Sequence, residues 1–280
     1  MMRIFNFDEQ LIPLDEWIQT FVDWLVVNYR DFFQIVKVPV EISLEGLEWL
    51  FFSLPPWVII VAFACAAWRY AGKRVTVFTV LTLFLIGYLG LWEDTMTTLA
   101  MVICSVVFCA IAGIPLGILS GRSDRFEMWM RPFLDAMQTT PAFVYLIPVV
   151  MLFSIGTVSG ILATIVFALP PIIRLTSLGI RQVHPELIEA ALAFGATPWQ
   201  VLRKVQFPLA LPSIMAGLNQ TLMMALSMVV IAALIGAGGL GNPVVQGLNT
   251  LEIGLATIGG LSIVLLAMVL DRITQGMGQK

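Results

Sequence analysis

Seven long apolar stretches leave this chain few folds to adopt. They lie near residues 54–70, 75–92, 95–119, 141–156, 158–178, 212–236 and 250–270 of a 280-residue sequence. A helix needs about 17–25 apolar residues to cross the roughly 30 Å hydrocarbon core of a bilayer. No water reaches backbone groups there, so such stretches fold as helices that bond their own carbonyls. Composition agrees, with 59% of residues hydrophobic and 12% charged, where soluble domains carry about 25% charged residues. The expected fold is an all-α integral membrane protein of about seven transmembrane helices. The fourth stretch is short and carries Pro141 and Pro148. The fifth contains Pro170 and Pro171, which should kink it or end its regular part.

Residues 1–53 read differently from residues 54–280, which form the membrane domain. Asp8, Glu9, Asp15, Glu16, Asp23, Asp31, Glu41, Glu45 and Glu48 outnumber Arg3, Arg30 and Lys37. Phe21, Trp24, Leu25 and Phe32 recur at helical spacing, interrupted by Asn28. An acidic amphipathic helix lying in the membrane interface fits this pattern, and an ordinary extramembrane helix is the alternative. A shorter helix is expected near 44–52. No basic segment precedes a short apolar run, so no cleaved signal peptide is expected.

Charge predicts orientation. Arg69, Lys73 and Arg74 follow the first span, and Arg122, Arg125 and Arg131 follow the third. Arg174, Arg181, Arg203 and Lys204 surround the loop before the sixth, and Arg272 and Lys280 close the chain. The alternate loops at 92–95, 156–158 and 237–249 contain no Lys or Arg. The excess of positive charge on cytoplasmic loops places the 182–210 loop and the C-terminus in the cytoplasm. An odd number of spans then places the N-terminus outside.

The 182–210 loop carries local signals of its own. His184 and Pro185 suit a helix start, because proline in the first turn loses no needed N–H. Gly195 stands where a left-handed C-terminal cap belongs. Thr197 and Pro198 form a second start, and Pro208 is expected to stop the helix they open. Two short helices joined at Gly195 are therefore expected. Ala190 and Ala191 permit close approach by a partner surface. Glu189 can cap or pair locally, or pair across an interface.

Glu189, Ala190, Ala191, Gly195 and Pro208, with Val205 and Phe207 at the apolar positions between, resemble the EAA signature of ABC-importer permeases. The likeness continues through Leu211 to Thr221 and Ile235 to Gly241, and this longer run resembles the glycine betaine/proline betaine (ProW/OpuAB-like) branch. The resemblance implies a type I importer permease fold working as a homodimer in a bacterial inner membrane. It further implies an ABC ATPase dimer docked on the cytoplasmic loop, and an external substrate-binding protein. The implied cargo is glycine betaine, proline betaine or a related quaternary-amine solute, with choline or carnitine as the alternative.

Other residues narrow the choice. No G-x-x-x-x-G-K-[ST] run is present, so no cofactor is expected here and ATP belongs to the partner. The only histidine, His184, lacks ligand or catalytic partners nearby in sequence and is read as a helix-start residue. Cys65, Cys104 and Cys109 are spaced as buried hydrophobes, so neither metal site nor enzyme activity is expected. A net charge of −3 and the absence of a basic cluster argue against nucleic acid. Asn219, Gln220 and Thr221, together with Gln138, Thr139 and Thr140, are polar in or near spans. Helix–helix hydrogen bonds and contact with a translocation path are both open readings. Met223, Met224 and Met228 are read as packing. The predicted core spans show no aromatic cluster for cation–π binding and no carboxylate of the kind an ion-coupled secondary transporter would use. The glycine-rich run at 236–241 reads equally as an outer gate or a turn.

Overall fold

A computed structural model describes residues 13–278, and among them every regular element is helical. In chain order these are α1 (Leu14–Ser53), α2 (Pro56–Ala71), α3 (Lys73–Tyr88), α4 (Trp92–Arg122), α5 (Asp124–Thr139) and α6 (Ala142–Phe153). They continue with α7 (Thr157–Arg181), α8 (Pro185–Ala193), α9 (Pro198–Val201), a π turn (Leu202–Gln206), α10 (Phe207–Ala233), α11 (Gly241–Thr250) and α12 (Ile253–Gly278). The seven apolar stretches correspond to α2, α3, α4, α6, α7, α10 and α12.

Four helices are long and apolar enough to cross a bilayer alone: α4, α7, the continuous 198–233 helix and α12. Two bent pairs raise the number to six, residues 31–53 with α2 at 107° and α5 with α6 at 99°. The short fourth stretch explains the second pair. Twelve residues of α6 rise only about 18 Å, too short to cross alone, so α5 and α6 together form a broken span or a re-entrant loop. Pro141, at the N-cap of α6, marks the corner.

The core is built around α7, which packs between α4 and α10. Gly113, Gly117 and Gly121 on α4 face Ile172, Thr176 and Ile180 on α7. A Cβ on Gly117 would lie 2.5 Å from the Thr176 side chain and 2.8 Å from the Ile173 carbonyl. Small residues let the two backbones approach, which is how helices gain contact in lipid without a hydrophobic driving force. The opposite side repeats the device, with Gly179 against Ala210 and Ser213, and Gly217 against Ile172 and Leu175. α7 remains helical through Pro170 and Pro171, both buried, so the expected end of the regular helix does not occur. Neighbouring helices on both sides hold it there.

The N-terminal segment is one helix with a break at Tyr29 (φ −120°, ψ 19°). Before the break, Trp17, Ile18, Phe21 and Trp24 are exposed. Beyond it, Val40 and Leu44 are buried with Ala100 and Cys104 of α4 and Leu146 of α6. Part of the segment before residue 53 therefore contributes to the core. Its first twelve residues, with Arg3, Asp8 and Glu9, lie outside the described residues.

The glycine-rich run after α10 is a packed turn. Gly236, Gly238 and Gly239 all take positive φ. The Leu240 N–H donates to Thr98 Oγ1 at 2.8 Å, and that hydroxyl donates to the Asp94 carbonyl, also at 2.8 Å. Ala237 and Leu240 are fully buried.

Candidate docking elbow and polar path

The elbow forms from local capping. His184 occupies the N-cap of α8 with Pro185 following, as the sequence predicts, and its side chain makes no capping bond. At the other end the Ala196 N–H donates to the Ala191 carbonyl at 3.1 Å and the Gly195 N–H to Leu192 at 2.9 Å. This is a Schellman cap, and it requires the left-handed φ of +82° at Gly195. A Cβ at Gly195 would meet nothing within 4 Å. The demand for glycine is therefore conformational, with no neighbour in the way.

Thr197 then opens the next helix with a reciprocal capping box. Its N–H donates to Gln200 Oε1 at 2.8 Å, and the Gln200 N–H donates to Thr197 Oγ1 at 3.4 Å. Pro208 does not stop this helix, contrary to expectation. The backbone widens into the π turn, in which the Phe207 N–H bonds the Leu202 carbonyl, and α10 begins with Pro208 in its first turn. The ladder changes register where the missing proline N–H would have broken it.

The elbow is open to a partner. No residue of α8 is buried. Glu189 and Ala190 are exposed, Ala191 is half-buried, and among the described residues Glu189 makes no ion pair. Phe194 is 93% exposed and Trp199 65%. Between the two arms lies a hollow of about 420 Å³ lined by Ala191, Phe194, Gly195, Gln200, Lys204 and Val205. Phe194 and Trp199 thus stand exposed beside an open hollow, the kind of apolar patch that often marks a contact site.

The polar residues singled out as path candidates separate into two groups. Asn219 joins α10 to α12: its Nδ2 donates to Asp271 at 2.8 Å, and Thr274 Oγ1 donates to its Oδ1 at 2.5 Å. Gln275 Nε2 also donates to Asp271, at 2.7 Å. Asn219 thus makes helix–helix hydrogen bonds, and it also lines a hollow of about 430 Å³. Gln220 is exposed beside it, on the same hollow, shared with Pro212, Met215, Met223, Thr274 and Gln275. Thr221 is fully buried, and its hydroxyl has no partner among the described residues. Gln138 and Thr139 are exposed at the end of α5 and line no part of that hollow. Thr139 and Thr140 bond the Ala136 carbonyl at 3.2 and 2.7 Å.

Sequence reading missed two features here. The seventh stretch stops at 270 by hydropathy, yet α12 runs on to Gly278 and carries Asp271 to Asn219. A charge ends an apolar run without ending a helix. The spacing of Asp271, Thr274 and Gln275 on one helical face was the available signal. Aromatic rings scattered along the chain also meet: Trp57, Phe84, Tyr88 and Trp92 line a groove of about 470 Å³ across α2, α3 and α4. Tyr88 is 86% exposed, so this is an open aromatic face and not a closed cage.

A glycine-zipped bundle of membrane helices whose central member leads into an exposed, doubly capped elbow defines a translocation subunit of the ABC-importer class. The chain belongs to the family of binding-protein-dependent transport system inner membrane components, whose family model matches residues 113–280. It is 55% identical over 273 residues to the glycine betaine/proline betaine transport system permease protein ProW of Escherichia coli (strain K12), covering 98% of this chain and 77% of the relative. It is 44% identical over 273 residues to the glycine betaine/carnitine transport permease protein GbuB of Listeria monocytogenes serotype 1/2a (strain 10403S), covering 96% of each. Among solved structures it resembles a chain of the MetNI methionine ABC transporter in inward-facing conformations. The TM-score is 0.58 at 29% identity, covering 68% of this chain and 93% of that one.

Proposed function

We propose that the chain is the membrane-spanning subunit of an ATP-driven importer for glycine betaine, proline betaine or a closely related methylated-amine solute. The exposed elbow carries this reading. Its arms are fixed by their own caps, its Phe194 and Trp199 side chains stand exposed, and it continues α7 on one side and α10 on the other. A push on such an element moves the two most deeply packed helices. The partner it suits is an ABC ATPase pair, which binds and hydrolyses ATP outside this chain.

Family membership supports two further partners, an external substrate-binding protein and a second copy of this chain. The distribution of Lys and Arg supports an elbow and C-terminus in the cytoplasm, and the N-terminus lies outside if α3 (Lys73–Tyr88) crosses as a seventh span. The names of the relatives support the cargo, and GbuB keeps carnitine as the second reading. The chain's open aromatic face suits a permease that leaves tight cargo recognition to the binding protein.

The test is uptake of radiolabelled glycine betaine into proteoliposomes holding the permease, its ATPase and its binding protein. Uptake should require ATP and stop when the ATPase is left out. ATP-dependent uptake of carnitine or choline without betaine would change the cargo. Uptake by the permease alone on a proton gradient would overturn the importer reading.

A further inference from the structure

α5 is attached to the rest of the protein differently from every helix around α7. Only Leu134 and Met137 of its sixteen residues are buried, while Met128, Trp129 and Phe133 are exposed. Leu134 and Met137 pack with Ile173 of α7, and the other links between α5 and α7 are ionic. Arg174 Nη2 donates to Asp135 at 2.5 Å. Arg181 Nη1 reaches Asp124 and its Nη2 reaches Glu127, both at 2.6 Å. Arg181 also donates to the Ser120 carbonyl of α4 at 2.8 Å. Arg131 holds the other oxygen of Glu127 at 2.7 Å. An isolated exposed pair stabilises little, but shared partners and fixed geometry make a network count for more. The Glu127 side chain is only 18% exposed.

Position gives these links their meaning. Arg181 is the last residue of α7, and α8 starts at Pro185. The glycine seams bind α7 tightly to α4 and α10, while α5 has no such seam. At its other end α5 turns through 99° into α6. Tyr145 braces that corner by donating to the Met137 carbonyl at 2.5 Å. A displacement of α7 can thus reach α5 through two arginines and the Leu134–Met137–Ile173 contact, and Tyr145 ties α5 to α6 at the corner.

We infer that Arg174 and Arg181 are positioning residues of the transport cycle, gripping α5 so that it follows the helix bearing the elbow and carries the movement into α6. The inference rests on the importer reading above. It makes the grip a coupling element: loosening it leaves docking and ATP hydrolysis in place and lowers the cargo moved per ATP.

The experiment measures betaine uptake and ATP hydrolysis together in the full reconstituted complex. Glu127→Gln and Arg181→Gln should each lower cargo per ATP at least about fivefold, and Asp135→Asn and Arg174→Gln by a smaller factor, while hydrolysis stays within about twofold of the unsubstituted complex. The exchanged pair, Asp135→Arg with Arg174→Asp, should recover most of the ratio, which ties the effect to the ion pair; hydrolysis that stays within that range in the single variants is what a merely structural role would not produce. Because single variants can fail to assemble, a second arm joins cysteines at 135 and 174 by a reducible cross-linker in a background without the native cysteines. The tethered complex should transport, and reduction of the same sample should lower the ratio. Single variants with an unchanged ratio would overturn the inference. So would an exchanged pair that stays uncoupled, or a tether whose release changes nothing. Failure of ATP-driven uptake by the unsubstituted complex would instead overturn the importer reading itself.

Discussion

α8 buries none of its nine residues, whereas α7, which ends four residues before it, buries fifteen of twenty-five. The elbow takes its shape from bonds between residues three to five positions apart, through the Schellman cap at Gly195 and the capping box at Thr197. The core takes its shape from contacts between residues about sixty positions apart, through Gly113, Gly117 and Gly121 against α7. Glycine serves both regions for opposite reasons. In the elbow it supplies a backbone angle and has empty space around it. In the core it supplies empty space and has ordinary helical angles. One region can therefore be damaged without the other, and the predicted consequences differ.

The largest effect is expected in the seam. Gly117→Leu drives a side chain into Thr176 and the Ile173 carbonyl, an overpacking that costs about 3 kcal/mol where backbones must separate. Little monodisperse protein should be recovered from the membrane, measured by fluorescence-detected size exclusion. Asn219→Leu comes next. It strips hydrogen bonds from Asp271 and Thr274, at about 1–3 kcal/mol, and should lower the thermal midpoint of the purified permease while leaving it assembled. Gly195→Asp should cost only about 1 kcal/mol of local stability through its positive φ. The protein should reach the membrane in normal amount, yet transport should be lost because the elbow no longer presents its two arms in register. Normal uptake by that variant would break the comparison. The smallest effect is a gain: Gly260, on α12 with nothing within 4 Å of a built Cβ, should stabilise by about 0.5 kcal/mol when changed to Ala. A loss at Gly260 would show that the seam rule does not separate the glycines as described.

The same division explains what the sequence revealed. His184, Pro185, Gly195, Thr197 and Pro198 announce local geometry through residue type, and the structure places each in the expected cap. Each apolar stretch folds as a helix because its hydropathy is likewise a local property. Pro208 misled because a π turn can absorb a missing N–H, and no residue type signals that turn. Pro170 and Pro171 do not end α7, because neighbouring helices pack it on both sides. Asp271 was drawn outside a span because hydropathy ends at Leu270, while the helix continues. The Arg174–Asp135 pair, thirty-nine residues apart, depends on how α5 folds back against α7. Nothing in residue spacing encodes that.

The most direct test of the elbow as the docking surface is photo-cross-linking from position 194 in the assembled complex. A photoreactive side chain replacing Phe194 should attach to the ATPase subunit in high yield. The same group at Leu261, exposed on α12, should attach to lipid. Strong attachment from 194 that disappears in the Gly195→Asp background is the predicted result. An actively transporting complex in which position 194 captures no ATPase would contradict the account.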